Sequence, residues 1–440
     1  MTGAPVDQPP AAHELVAEFT TRVSALPASD PRRIGLFLIQ AGVLIALPSV
    51  CLGVFPANLG LGIALGGCLI ARAPLMRLPG FKVALLLSAW VAVSCAVGVH
   101  AGTVPRPFHG LGLMYTWAIT YPTMIAMSDR RIFAWGMGLL AGAVIAAGVV
   151  SIGQFVIGLG KQPPFRIDPD GPRHLMADGF FSIHLTHGFV MCMALLALQG
   201  ARTRWPSRSL GWIGVAAAAI ALVLSRARLA YVGIAVGAWA AIASRGPRHL
   251  LRAIAVAAAV ALVLAGLMWR FEPERFAEMA KGENGRWAIW RASIAVAYES
   301  PVFGPGSPEG FKARYREIYA SVVPEVPNEF PGGAPHAHNS LLSIASTYGV
   351  PGVIIYLALL GSMMRAAYRE RQRCLACWSL VIAAVAASLS AGMFENLAGH
   401  SIPAYATFLV IGLAFAFAHH PERDPEPDPA PLRTPAQASA

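Results

Sequence analysis

The sequence predicts an all-α, polytopic integral membrane protein with about 12 transmembrane helices and a large outward loop between helices 9 and 10. Three observations lead there. Hydrophobic residues make up 56% of the 440, and charged residues only 13%, where a soluble domain carries about 25%. Apolar runs of bilayer-spanning length, roughly 20 residues, recur along the chain. Arginines collect in alternate short loops between these runs, as the positive-inside rule describes.

The runs lie at 34–54, 56–72, 81–99, 108–127, 132–158, 180–199, 209–224, 229–244, 249–269, 341–366, 374–396 and 402–419. The second is short, and the seventh and eighth are separated only by Ser225-Arg226-Ala227-Arg228. Ahead of them, residues 1–33 are polar and Pro-rich with no apolar core of a signal peptide, so no cleaved leader is expected. Behind them, 420–440 is a low-complexity tail expected to be disordered. The chain thus divides into an N-terminal segment 1–33, transmembrane helices 34–269, a large loop 270–340, transmembrane helices 341–419 and the tail.

Orientation follows from the arginines. Arg32/Arg33, Arg72/Arg77, Arg130/Arg131, Arg202/Arg204/Arg208, Arg245/Arg248/Arg252 and Arg365/Arg369/Arg371/Arg373 occupy alternate loops. With twelve runs they all fall on one side, together with both termini, and that side is expected to be cytoplasmic. Much of the net charge of +11 is therefore topological, and no nucleic-acid partner is implied.

The other side carries cations against that trend. A loop over 159–179 holds Arg166, Asp168, Asp170, Arg173 and His174; the 270–340 loop holds Arg286, Arg291, Arg314, Arg316, His336 and His338; the Arg226/Arg228 turn faces the same way. Arginine at the boundary of apolar helices needs a partner, and a bound anion is one. Arg226 and Arg228 read either as interfacial snorkels or as guanidinium forks on a phosphate. In Gly285-Arg286-Trp287-Ala288-Ile289-Trp290-Arg291, helical spacing puts Arg286 and Trp290 on one face; this is an interfacial helix or a ligand-facing one. Pro301-Val302-Phe303-Gly304-Pro305-Gly306 is a sharp turn in either case.

His336-Ala337-His338-Asn339 immediately precedes an apolar run. Metal binding is conceivable for imidazoles, but ligands two apart cannot share a helical face and no Cys or third His is near in sequence, so no metal is expected. A neutral imidazole acting as general base is the alternative. Asp168-Pro169-Asp170 reads as a turn before it reads as a metal site. His184 and His187, at the start of the sixth run, either line a cavity or bond between helices. Glu395, at the end of the eleventh, needs a partner, and an arginine of the site is expected to supply it. Cys374 and Cys377 are read as membrane packing, and the six cysteines show no disulfide framework.

Twelve spans, an outward Ser-Arg pair, a long outward loop with Arg-Trp-x-x-Trp then Gly-x-Gly, and a closing His-x-His-Asn-Ser-Leu-Leu together resemble the O-antigen ligase/polymerase superfamily, bacterial membrane glycosyltransferases of the GT-C type. The motifs fall over roughly 180–400. The resemblance implies transfer of a glycan from an undecaprenyl diphosphate-linked O-antigen to the lipid A–core acceptor, at the periplasmic face of the bacterial inner membrane. The reaction would be inverting and independent of metal or other cofactors. It implies His338 as general base with Arg226 and Arg286 on the diphosphate. Arg228, Arg291, His336, Asn339, Trp290, Arg166, Arg173 and His187 are further substrate-binding candidates, with membrane lipids around the apolar spans.

Rivals remain open from the sequence. A polymerase would use the same donor with a second lipid-linked glycan as acceptor. Some polymerases carry Arg-x10-Gly in their large loops, a spacing that none of Arg166, Arg173, Arg270, Arg275, Arg286, Arg291, Arg314 and Arg316 shows here. A protein O-oligosaccharyltransferase would share the donor too. A transporter of an anionic solute would place ionisable residues near mid-membrane and repeat its halves.

Overall fold

The computed structural model describes residues 10–104, 112–157, 177–181, 183–205, 207–271, 286–324, 334 and 336–420. Among these the chain is helical without strands. The helices are α1 (Ala12–Ser24), α2 (Pro31–Leu52), α3 (Val54–Ala71), α4 (Phe81–His100), α5 (Gly112–Tyr115), α6 (Thr120–Ala126), α7 (Arg130–Ile157), α8 (His184–Gly200), α9 (Arg208–Ser225), α10 (Arg228–Ala243), α11 (Leu250–Phe271), α12 (Arg286–Glu299), α13 (Pro308–Val322), α14 (Ser340–Glu370), α15 (Leu375–Gly392) and α16 (Ser401–Ala416).

Among the described residues, eight helical segments are long and apolar enough to cross a membrane: α2, α3, α4, α7, α9, α14, α15 and Ser401–His419, while α8 and α10 are shorter apolar helices. All fall on predicted runs. The fold is an all-α polytopic membrane protein. The run 108–127 differs from expectation, since it breaks into α5, a 3-10 turn (Thr116–Ile119) and α6. The break is tolerated because side chains satisfy the freed backbone: Ser88 Oγ donates to the Met114 carbonyl at 2.6 Å and Trp117 Nε1 to the same oxygen at 2.8 Å.

Small residues set the closest helix approaches, as membrane packing favours. A Cβ on Gly42 of α2 would lie 2.5 Å from the Gly60 carbonyl of α3. On the other side of the bundle, Gly237 of α10 lies against Ala383 of α15, and Gly233 against Ala387 and Ala391. Position falls along α10 as it rises along α15, so the two are antiparallel. The Arg226–Arg228 turn before α10 and the segment after Gly392 therefore share one end of the bundle, which is also the His338 end.

At the opposite end the N-terminal segment is more than polar chain. His13 of α1 is buried and its Nδ1 meets the buried Glu370 of α14 at 2.8 Å. Cys374 and Cys377 are buried there as packing residues: Cys374 Sγ caps α15 by accepting from Cys377 N.

The 286–340 region folds onto the bundle. Ala288, Ile289, Ala292 and Val296 of α12 share a small core with Phe311, Tyr315, Ile318 and Tyr319 of α13 and with Ala334 and Ala337. The expected turn is present, with Gly304 at φ 61° and Gly306 at φ 83°. It docks on a break in α14, where Gly349 adopts φ 76°, ψ 172°. Val350 N donates to the Pro301 carbonyl at 2.8 Å and Gly306 N to the Thr347 carbonyl at 2.9 Å. A Cβ on Gly349 would overlap the Val302 carbonyl, so the docking needs glycine there. Trp90 of α4 secures the same point, donating to Tyr348 O and stacking on Phe303. The far ends of α12 and of the first part of α14 meet here, so both helices start at the His338 end.

Candidate functional site

The site is built around the start of α14. Asn339 is the N-cap: its Oδ1 accepts from Leu342 N at 3.0 Å, satisfying one of the orphan amides of the first turn. Its Nδ2 donates to the Met393 carbonyl at 3.4 Å. Asn339, a substrate-binding candidate from the sequence, is committed to joining α14 to the end of α15. Ser340 does the same next door. Its Oγ donates to the Glu395 carbonyl at 3.0 Å and accepts from Leu397 N at 2.9 Å. Together these bonds staple the turn 393–398 beneath the histidines.

His338, one residue before the cap, has φ 49°, in the left-handed region that bulky L-residues rarely occupy. Strain of this kind persists where the surroundings impose it, and it clusters at functional sites. Here the backbone turn brings His338 Nδ1 to 3.2 Å from Glu395 Oε2. His336 Nδ1 lies 3.3 Å from Glu395 Oε1, and His336 Nε2 lies 3.4 Å from His400 Nε2. The expectation that an arginine would neutralise Glu395 is thus corrected: two imidazoles flank the carboxylate, because the staple to Ser340 fixes Glu395 under the 336–338 segment.

Charge states follow. Burial acts to raise the Glu395 carboxyl, but the His338 hydrogen bond, the two imidazoles and the Asn396 amide outweigh it and hold it down at about 2. Glu395 is therefore an ionised acceptor. Burial lowers His336 to about 4, outweighing the nearby carboxylate, and lowers His400 as well. Since an ionised carboxylate only accepts, neutral His338 must carry its proton on Nδ1. That tautomer puts the ring's lone pair on Nε2, the atom a base would use. The dyad has the logic of a histidine oriented by a carboxylate in hydrolases.

The arginines sit on neighbouring elements. Arg226 is the C-cap of α9 with φ 51°, in a turn closed by the Ala227 N to Ser225 Oγ bond at 3.3 Å. Its guanidinium lies 5.6 Å from the Phe155 ring centroid. Arg228 starts α10 and Arg286 starts α12, both at the His338 end by the geometry above. Trp290, one turn on from Arg286, has its indole N–H buried with no hydrogen-bond partner among the described residues. Arg291 instead ties α12 to α13, donating to the Val322 carbonyl at 2.9 Å. His187 is fully buried and bonds Ser151 Oγ at 2.8 Å; it braces α8 against α7 rather than facing an open site. Arg166 and Arg173, with Asp168 and Asp170, lie outside the described residues.

Sequence reasoning missed His400 and the pairing of Glu395 with histidine. The available signal was the polar stretch Glu395-Asn396-Leu397-Ala398-Gly399-His400 between two apolar runs. An acid and a histidine in so short a turn have few places to go but the other polar groups at that end.

Residues 213–357 match the family model described as O-antigen ligase. The match spans 145 of the 440 residues. The likeness is to the O-antigen ligase/polymerase superfamily, whose members are membrane-bound, glycosyltransferase-like enzymes. The matched stretch contains the Arg226–Arg228 turn, α12 and the His336–His338 segment. Glu395 and His400 lie beyond the O-antigen ligase match. No curated protein matches the chain.

Proposed function

We propose that the protein is an O-antigen ligase. It would transfer a glycan from undecaprenyl diphosphate to a hydroxyl of lipid A–core, in the periplasmic leaflet of the bacterial inner membrane, with both termini cytoplasmic. The observation that carries this reading is the 3.2 Å contact between His338 Nδ1 and the ionised Glu395, which holds an imidazole in the base-competent tautomer at the mouth of a membrane helix.

The chemistry balances on this chain's residues. His338 Nε2 takes the proton of the acceptor hydroxyl as its oxygen attacks the anomeric carbon. The bond from that carbon to the diphosphate oxygen breaks on the opposite face, and the diphosphate departs with the electron pair. One displacement inverts the anomeric configuration. Arg226 and Arg286 stabilise the charge that grows on the leaving group, a role that fixed cations fill with little reorganisation. The positive-inside pattern of the short loops supports a periplasmic site, where lipid A–core and the lipid-linked glycan meet.

The test is transfer by purified, reconstituted protein in EDTA, with undecaprenyl diphosphate-linked O-antigen and with or without lipid A–core. Glycan on lipid A–core, lost in His338→Ala, is the expected result. Longer lipid-linked glycan with no lipid A–core product would make the protein a polymerase of the same superfamily. No transfer by folded protein would overturn the reading.

A further inference from the structure

The His336 ring poses a problem that the transfer mechanism does not solve. His336 Nδ1 accepts the His338 backbone N–H at 3.2 Å, so in the neutral ring its proton sits on Nε2, toward His400. The Nδ1 lone pair then also faces Glu395 Oε1 at 3.3 Å. That oxygen already accepts from Asn396 N at 2.9 Å. Two acceptors thus face each other across a half-buried gap, with no proton between them. Such an arrangement is relieved by a cation.

We propose that His336 Nδ1, His338 Nδ1 and the Glu395 carboxylate form a binding site for a zinc-type divalent metal, and that its occupancy switches the transferase off. The ligand atoms of the three all lie within 4.8 Å of one another. His338 Nδ1 lies 3.2 Å from Oε2 and His336 Nδ1 3.3 Å from Oε1, each one ligand–ligand spacing for metal–ligand bonds of about 2.0–2.1 Å, and a metal on His336 Nδ1 would replace the contact that atom accepts from His338 N. Two imidazoles and one carboxylate leave a fourth position open. His400, at 3.4 Å from His336 Nε2, accepts that ring's remaining N–H and orients it, the usual outer partner of a ligating histidine. Two nitrogen donors favour zinc, cobalt or nickel over magnesium and calcium, which prefer all-oxygen sets.

Inhibition follows from the tautomer and rests on the base role proposed for His338. A metal on Nδ1 displaces the proton that Glu395 accepted, and the neutral ring keeps that proton on Nε2. No lone pair remains for the acceptor hydroxyl. No proton is gained or lost overall.

Tag-free, full-length protein in detergent, stripped with EDTA, is titrated with ZnCl₂ by calorimetry and with CoCl₂ by visible absorption. One site per chain is expected, with the intense d–d bands of low-coordinate cobalt and no competition from MgCl₂. Glu395→Gln and His336→Gln should abolish it, and His400→Ala should weaken it about 10-fold. X-ray absorption on the zinc-loaded wild type, which needs no variant, should show imidazole scattering and about four light ligands. Absence of a saturable site, or a site that survives both substitutions, overturns the proposal. In the transfer assay, one equivalent of zinc should lower the rate about 100-fold, as loss of a base does, and EDTA should restore it. Zinc bound with full activity overturns the switch. No transfer by the chelated wild type would instead sink the ligase reading, while the isotherm still decides the site.

Discussion

Glu395 and His338, 57 residues apart in the chain, meet with Oε2 3.2 Å from Nδ1. The contact joins the turn after α15 to the residue before the cap of α14, and it fixes which imidazole nitrogen can act. If this pair is the base, His338→Ala should lower transfer about 10²–10⁴-fold without changing expression. Glu395→Gln, which keeps the shape and loses the charge, should cost at least about 10²-fold in kcat through the wrong tautomer. A Glu395→Gln protein with wild-type turnover would rule the dyad out.

Arg226 and Arg286 are expected to act on a leaving group. Alanine at either should lower kcat about 10²–10³-fold, and lysine should restore only part of it because it lacks the planar fork. Equal losses in KM alone, with kcat intact, would point to simple donor docking. Arg291→Ala should perturb stability more than chemistry, since its guanidinium holds the Val322 carbonyl.

Acid should loosen the site. Burial depresses His336 from its ordinary 6.5 to about 4 in the fold. Above pH 6.5 neither state is protonated and its contribution is complete. As pH falls from 6.5 towards 4, the unfolded chain takes up a proton that the folded one refuses, so stability declines. Glu395, held at about 2 against an ordinary 4.5, adds a second loss as pH falls through that lower window. Thermal unfolding in detergent between pH 8 and 5 should show the upper slope, and His336→Gln should flatten it.

The break in α14 is expected to be intolerant. Gly349→Ala adds a Cβ that overlaps the Val302 carbonyl and forces an L-residue to φ 76°, ψ 172°, a strain of about 1–3 kcal/mol before the clash. Unseating the 301–306 turn would shift α12 and with it Arg286. Protease protection of the 286–324 region should drop, together with activity. An alanine variant with both intact would show that the turn docks without help from this glycine.

At the far end of the bundle, His13→Ala should strand a buried carboxylate at Glu370. Removing one partner of a buried pair costs about 3–5 kcal/mol, to be read as a lowered unfolding midpoint. His13→Ala with Glu370→Gln should recover part of that loss.

The sequence by itself determined the membrane architecture. A bilayer forces each spanning segment to satisfy its own backbone, so a helix such as α7 is written locally, in one continuous apolar run. The Gly304-Pro305-Gly306 turn and the placement of Arg226, Arg286 and the histidines at the end of the bundle opposite the arginine-rich short loops were legible for the same reason. Tertiary structure alone decided what those residues meet. That Glu395 pairs with His336 and His338 rather than with an arginine depends on the Ser340 staple and on the antiparallel seating of α10 against α15. Gly233 and Gly237 permit that seating, but nothing local in the chain records it. The 108–127 run reads as one helix and breaks into three pieces, because Ser88 and Trp117, distant or out of register in sequence, take up the backbone oxygen of Met114. Burial energy and helix periodicity are summed along the chain, whereas a hydrogen bond between two turns depends on how whole helices pack.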